Sequence, residues 1–280
     1  MYCNTEALNS ILPIWLRSEL NKHITETLQE LRLRIHMPVE LRYGDRRCFL
    51  SRSATRDDIL FCINAASKYS PWSANTIRFG YITAPGGHRI GICGNVVYHN
   101  GTVTGIRNLT SICIRVSRDF PGLAITTADL SGSTLIIGPP GSGKTTFLRD
   151  FIRQKSNKSI SISVVDERSE IFPEVNGQFC FPIGKHTDVM SGCSKSYGIE
   201  TVLRTMTPEV IAVDEITVAE DCAALQFAGW CGVSLLATAH ASSKKDLLSR
   251  PLYKPLLSLG LFQNLIIINR DKSWSAERMW

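Results

Sequence analysis

The chain has 280 residues, 44% hydrophobic and 20% charged, a globular composition that excludes a disordered or fibrous protein. Its net charge of +6 sits mostly in residues 1–131, where 15 Lys and Arg face 10 Asp and Glu; that excess could meet phosphate or anionic lipid, but over such a length it is more often just a solvated surface. Nine cysteines without a Cys-x-x-Cys pair argue against a zinc knuckle or a secreted disulfide framework. The start lacks a signal-peptide pattern, and no run approaches the ~20 apolar residues of a membrane span, so the expected home is a reducing cytosol, with any membrane attachment through a partner.

In chain order, "ELRLRIHMPVELRYGDRRCFL" alternates apolar and charged residues in two short runs around "HMP", as strand–turn–strand does. A helix is expected at about Arg56–Lys68. "IRFGYITAPGGHRIGICGNVVYHNGTVTGI", from Ile77, then carries Pro-Gly-Gly and Asn-Gly at hairpin spacing. Residues 1–120 therefore read as a small α+β domain with antiparallel strands. "PGLAITTADLSGS", residues 121–133, is small, polar and turn-rich, and reads as a linker.

From residue 134 to 280 the pattern changes to short β-branched runs separated by helices. "TLIIG", "SISVVD", "VIAVD", "VSLLATA" and "NLIIIN" read as strands. Helices are expected at about Lys144–Lys155, through "YGIETVLRTM", at about Val218–Cys231 and near Lys244–Leu248. "PEVNGQFCFPIGKHTDVMSGC" reads as a loop. Continuous apolar strands alternating with helices predict an open α/β domain with a parallel sheet covered on both faces, and ligands at its carboxyl edge.

Chemistry-bearing residues collect at that edge. Gly138-Pro139-Pro140-Gly141-Ser142-Gly143-Lys144-Thr145, followed by Thr146, fits G-x-x-x-x-G-K-[ST] between an expected strand and an expected helix. Glycines let backbone N–H groups face phosphates at a helix N-terminus. Lys144 would reach the β- and γ-phosphates, and Thr145 would hold Mg²⁺. Asp214 and Glu215 end the "VIAVD" strand: the first suits Mg²⁺ and the second suits polarising water, which favours hydrolysis over phosphate transfer. Asp166, Glu167 and Arg168 end the "SISVVD" strand, either as auxiliary carboxylates with a phosphate-sensing arginine or as a salt-bridged strand exit. Thr238 and His240 lie two apart at the end of "VSLLATA", on one side of the strand. Their residue types alone leave a functional and a structural role equally open. Arg168, Arg204, Arg89 and Arg115 are the arginines considered for charge neutralisation at a γ-phosphate, in cis or across a subunit boundary.

"LRLRIHMPVELRYG", "GYITAPGGHRIGICG", "LTSICIRVSR", "GPPGSGKTTFLRD", "VVDERSEI", "HTDVMSGCSKSYGI", "LRTMTPEVIAVDEI" and "LLATAHA" together resemble the stage III sporulation protein AA family of endospore formers, from about Leu31 to Ile268. Two of these motifs also resemble, more distantly, the pilus-retraction and type II/type IV secretion ATPases. The resemblance implies a RecA-like P-loop ATPase domain behind the small N-terminal domain, using ATP and Mg²⁺. It implies a ring, by kinship a hexamer, acting from the mother-cell cytoplasm with membrane-channel proteins that join the mother cell to the forespore. Asp166 and Glu167 fall in the acidic box of the secretion ATPases and His240 in their His box. Arg89 and Arg115 match N-terminal arginines able to approach the γ-phosphate. A RecA-like order would put the Thr238 strand between those of the glycine loop and Asp214, setting Thr238 beside the γ-phosphate. After "VDEI" this chain has Thr217-Val218 where the family usually has Gly followed by Arg or similar, so an arginine role does not carry over there. A nucleic-acid-dependent ATPase is the competing reading, because RecA-like cores also serve DNA and the front half is basic.

Overall fold

The structure, a computed structural model, describes residues 4–22, 28–67, 80–175 and 177–280. It divides into two compact units, residues 1–119 with 173–180, and residues 120–172 with 181–280.

In the first unit, α1 (Thr5–Ser10), α2 (Ile14–Lys22) and α3 (Arg56–Ser67) accompany β1 (Glu30–Arg34), β2 (Pro38–Tyr43), β3 (Arg46–Ser53), β4 (Tyr81–Thr83), β5 (Arg89–His99) and β6 (Thr102–Arg115). The strands form one antiparallel sheet in the order β3-β2-β1-β6-β5-β4. The alternation read in the sequence aims Leu31, Leu33, Ile90, Ile92, Ile112 and Ile114 into a core shared with Leu12 and Leu16 of α2's neighbourhood and Ile59 of α3. Asp58 caps α3 by accepting from the Thr55 N–H and hydroxyl, each at 2.8 Å, and takes the Trp15 indole N–H at 2.7 Å. One feature differs from expectation. The first strand–turn–strand is a three-stranded meander, because Gly44, at φ 62°, reverses the chain into β3. Lys68 and the start of the run at Ile77 lie outside the described residues.

The second unit carries β7 (Thr134–Ile137), α4 (Lys144–Ser156), β8 (Ile162–Asp166), β11 (Thr187–Ser191), α5 (Lys195–Thr205), β12 (Val210–Val213), α6 (Ala219–Trp230), β13 (Ser234–Ala239), α7 (Lys244–Ser249), α8 (Lys254–Ser258), β14 (Asn264–Ile268) and β15 (Trp274–Arg278). The short strands between β8 and β11, β9 (Glu174–Val175) and β10 (Gln178–Phe179), make a hairpin that belongs to the first unit. The sheet order is β11-β8-β12-β13-β7-β14-β15, parallel except for the last pair. Both faces are covered. Leu135, Ile137, Ile211, Val213, Leu235 and Ala237 face α5, α6 and α8, while Ile136, Val164, Ala212 and Leu236 face Phe147, Phe151 and Ile152 of α4.

The sheet is mixed where a parallel one was expected. After β14 the turn Asn269–Ser273 folds the chain back, so β15 runs antiparallel to it, and its polar, mostly exposed residues lack the apolar run that marks a buried strand. β11 forms where a loop is expected, for a similar reason: "TDVMS" is a polar edge strand flanked by Gly184 and Gly192. Residues 121–133, expected as a linker, pack on this unit. The Asp150 carboxylate accepts from the backbone N–H groups of Gly122 at 3.1 Å and Ala124 at 2.8 Å, and the Lys155 ammonium donates to the Leu130 carbonyl at 2.6 Å. Among the described residues no helix is long and apolar enough to cross a membrane.

Candidate functional site

β7, β13, β12 and β8 run parallel, so their carboxyl ends deliver Gly138, Thr238, Asp214 and Asp166 to one edge. Between β7 and α4 the chain must turn within a few residues. Gly143 does so at φ 100°, a conformation that L side chains rarely adopt, directly before the first residue of α4. At Gly138 a Cβ would stand 2.6 Å from the Ile268 carbonyl oxygen and 2.5 Å from Ser142 Oγ, so only glycine fits. Pro139 and Pro140 follow, and the Ser142 N–H donates to the Pro139 carbonyl at 3.2 Å. Gly141 and Gly143 have nothing where a side chain would begin, and the buried Ser142 hydroxyl has no hydrogen-bond partner among the described residues. An open glycine-lined turn at a helix N-terminus, with an orphaned hydroxyl, fits a phosphate group.

The loop's side chains already reach the neighbouring strand ends. Lys144 is buried. Its ammonium donates to the carbonyls of Gly138 at 2.9 Å and Pro139 at 3.1 Å, and to His240 Nδ1 at 3.0 Å. An ammonium has no lone pair, so Nδ1 is the acceptor, and the imidazole proton resides on Nε2. Nε2–H then donates to Glu215 Oε1 at 2.5 Å. His240 thus links the loop lysine to the strand-end carboxylate. Burial pulls the Lys144 pKa below its ordinary value, against the opposing pull of Asp214 and Glu215. Burial works against charge on Glu215 as well, but the His240 hydrogen bond and the positive groups around it, Arg168 and Lys144 included, hold its carboxyl below the ordinary range.

A second chain runs beside the first. The Thr145 hydroxyl donates to Asp214 Oδ2 at 2.6 Å, the fully buried Thr238 hydroxyl donates to Asp214 Oδ1 at 2.5 Å, and the Glu215 N–H donates to Thr238 Oγ1 at 2.7 Å. Glu215 adopts φ 55°, which is strained for a side chain of this size and is held by these contacts. Thr146 lies in the first turn of α4. Thr145 and Asp214 offer one hydroxyl and one carboxylate, hard oxygen donors of the kind Mg²⁺ takes alongside water and phosphate.

The remaining residues separate. Arg168 joins the cluster, 3.6 Å from Glu215 Oε2. Glu167 lines the same cleft and accepts from the Lys195 ammonium at 2.5 Å. Asp166 does something else with its carboxylate: both oxygens are taken by the backbone N–H groups of Glu170, Ile171 and Phe172, at 2.8, 3.0 and 2.9 Å. It shapes the turn that carries Glu167 and Arg168, and burial pushes its pKa up to about 6. Arg204 stands in the last turn of α5, a helix whose first turn is the end near the cleft; it is exposed and paired with Glu200. It is not brought to the carboxyl edge in this chain. Arg89 and Arg115 belong to the first unit, opposite one another on β5 and β6; Arg89 lies 4.1 Å over the Tyr81 ring and Arg115 is 3.9 Å from Glu30 Oε1.

Three further residues at this edge are not among the candidate site residues read from the sequence. Lys195, at the start of α5, is buried between Glu167 and Asp221, 3.6 Å from Asp221 Oδ2. That same Asp221 oxygen accepts from the N–H groups of Thr217 at 2.9 Å and Val218 at 3.3 Å, which caps the segment leaving Glu215. Lys272 donates to the Gly141 carbonyl. A capping Asp four residues after Thr217 was the only one of these patterns open to a sequence reader.

The model of the family described as sporulation stage III, protein AA matches residues 3–277. The chain belongs to that family. Stage III sporulation protein AA of Bacillus subtilis (strain 168) is 36% identical over 266 residues, covering 91% of this chain and 87% of that protein. Among solved structures, the ATPase DotB of Legionella pneumophila is similar with a TM-score of 0.58 at 17% identity, over 95% of this chain and 80% of that one. The pilus retraction motor PilT with bound ADP is similar with a TM-score of 0.57 at 17% identity, over 89% and 76%. In fold the chain is similar to these two proteins, with a RecA-like α/β unit preceded in sequence by a small α+β unit.

Proposed function

We propose that the chain hydrolyses MgATP at the carboxyl edge of its second unit, as a ring-forming motor of the secretion-ATPase class that works in endospore formation. The observation that carries the reading is the Lys144–His240–Glu215 chain, which ties the phosphate loop to the carboxylate placed to act on water. Membership of the sporulation family and a fold shared with proteins described as an ATPase and as an ADP-bound motor support it.

In this reading the loop N–H groups and Ser142 receive the phosphates. Lys144 gives up the Gly138 and Pro139 carbonyls and His240 Nδ1 for the β- and γ-phosphate oxygens. Thr145 and Asp214 would hold Mg²⁺, which when bound supplies positive charge to the phosphate oxygens. Glu215 orients the attacking water and takes its proton; His240 holds the carboxylate from Nε2 and loses the Lys144 contact when nucleotide enters. Thr238 fixes Asp214 and the Glu215 backbone together, and Arg168 and Glu167 line the mouth. Arg89 and Arg115 would meet the nucleotide of a neighbouring subunit in a ring, taken by kinship as a hexamer. The ring would sit in the mother-cell cytoplasm against membrane-channel proteins facing the forespore.

The test is equilibrium binding of a fluorescent MgATP analogue, with sizing of the protein in its presence and absence. Wild type should bind and enlarge, and Lys144→Ala should do neither. Binding by Lys144→Ala as tight as wild type would refute the site; a wild type that binds yet stays monomeric would refute the ring.

A further inference from the structure

The turn Asn269–Ser273 reaches the carboxyl edge because β14 is the parallel partner of β7, the strand that feeds the phosphate loop. Contact there is close: the Ile268 carbonyl leaves no room for a Cβ on Gly138. The turn is braced from inside. The Asn269 N–H donates to the Ser273 carbonyl at 2.9 Å, Asn269 Nδ2 to Ser273 Oγ at 3.0 Å, and Ser273 N–H and Oγ to Asp271 Oδ1 at 3.0 and 2.6 Å. Lys272 sits in it at φ 72°, a costly conformation for a long side chain, and from there its ammonium bonds the Gly141 carbonyl.

That carbonyl belongs to the same peptide unit as the Ser142 N–H, which closes the turn by donating to the Pro139 carbonyl at 3.2 Å. A cation on the oxygen polarises the unit and makes its N–H a stronger donor to the Pro139 carbonyl, which stiffens the turn. It also fixes the loop at its apex, where neither glycine has a side chain to hold it. The like charge of Lys144 lies on the same turn, its ammonium donating to the Gly138 and Pro139 carbonyls. Two ammonium groups thus converge on one glycine turn from opposite strands of sequence, 128 residues apart in numbering terms between Lys144 and Lys272. Repulsion of that kind is relieved by polyphosphate arriving between them.

We propose that Lys272 is a positioning residue of the nucleotide site, bracing the phosphate loop through Gly141 and adding positive charge that strengthens di- and triphosphate binding. This rests on the MgATP reading above. The test uses the full chain and MgADP as probe, with dissociation constants for wild type, Lys272→Gln and Lys272→Arg at low and high salt, and Lys144→Ala beside them. Lys272→Gln should weaken MgADP about tenfold at low salt, with a shallower salt dependence than wild type, and Lys272→Arg should recover most of the affinity. In turnover, Lys272→Gln should raise KM by a larger factor than it lowers kcat. A Lys272→Gln affinity equal to wild type, or an arginine variant as weak as the glutamine one, overturns the proposal while leaving the MgATP reading standing. A wild type that fails to bind MgADP, or that binds no better than Lys144→Ala, overturns both.

Discussion

Replacing Glu215 by Gln separates the chemistry of this site from its architecture. The amide oxygen of glutamine can accept from His240 Nε2–H as the carboxylate does at 2.5 Å, and the φ of 55° is no harder for Gln than for Glu. What the fold loses is the 3.6 Å ion pair with Arg168, whose side chain is 51% exposed; a pair that open is worth about 0–1 kcal/mol. Stability should therefore fall by less than about 1 kcal/mol. What the reaction loses is its base. Such a group contributes about 10²- to 10⁴-fold, or about 3–5 kcal/mol of barrier. The assay is phosphate release at saturating MgATP, with nucleotide affinity and urea unfolding measured on the same sample. The expected variant is folded, binds MgATP about as tightly as wild type and turns over at least about a hundredfold more slowly. A folded variant whose kcat stays within about threefold of wild type would refute the reasoning, and Glu167, held in the same cleft by Lys195, would be the next carboxylate to examine.

Lys195→Met should cost about 3 kcal/mol of stability by urea unfolding, because it strands the buried Asp221 without its cation; a loss under about 1 kcal/mol would show the pair to be unimportant. Asp166 gives a pH signature. Its folded-state value of about 6 lies above that of an unfolded aspartate, so the native state keeps a proton the unfolded chain has shed. That contribution to stability is present in full at pH below about 4 and is lost as pH rises through about 6; Asp166→Asn should flatten this window, and an unchanged pH slope would contradict the assignment. Glu215 has the opposite sign: its lowered pKa stabilises the fold above the unfolded value and is lost as pH falls through the folded one, so the base stays ionised at neutral pH. Arg204→Ala, at the far end of α5, should leave turnover within about twofold of wild type, and a deep loss would mean that it acts across a subunit boundary. Stimulation of turnover by DNA with steep salt dependence would favour the nucleic-acid reading over the secretion-motor one.

The phosphate loop and the Asp214-Glu215 strand end were legible because their chemistry constrains the backbone itself: glycine where the chain turns or crowds Ile268, apolar residues where a strand is buried on both faces. The same rule concealed β11 and β15, which are edge strands with polar residues and so lack an apolar run. Lys195 and Lys272 are ordinary in sequence. Their meaning comes from which strand ends the sheet order places side by side, and no spacing rule encodes that. Asp166 shows the complementary case, where the right position at the carboxyl edge held a carboxylate whose oxygens the backbone had already claimed.

The central claim is tested most directly by the rate of phosphate release from MgATP by the purified full chain, with Lys144→Ala measured beside it and Mg²⁺ withdrawn by chelation. Turnover by wild type that disappears both in the variant and on chelation is the predicted result. Turnover that survives in Lys144→Ala, or none in a wild type shown to bind MgATP in every oligomeric form it adopts, would contradict the account.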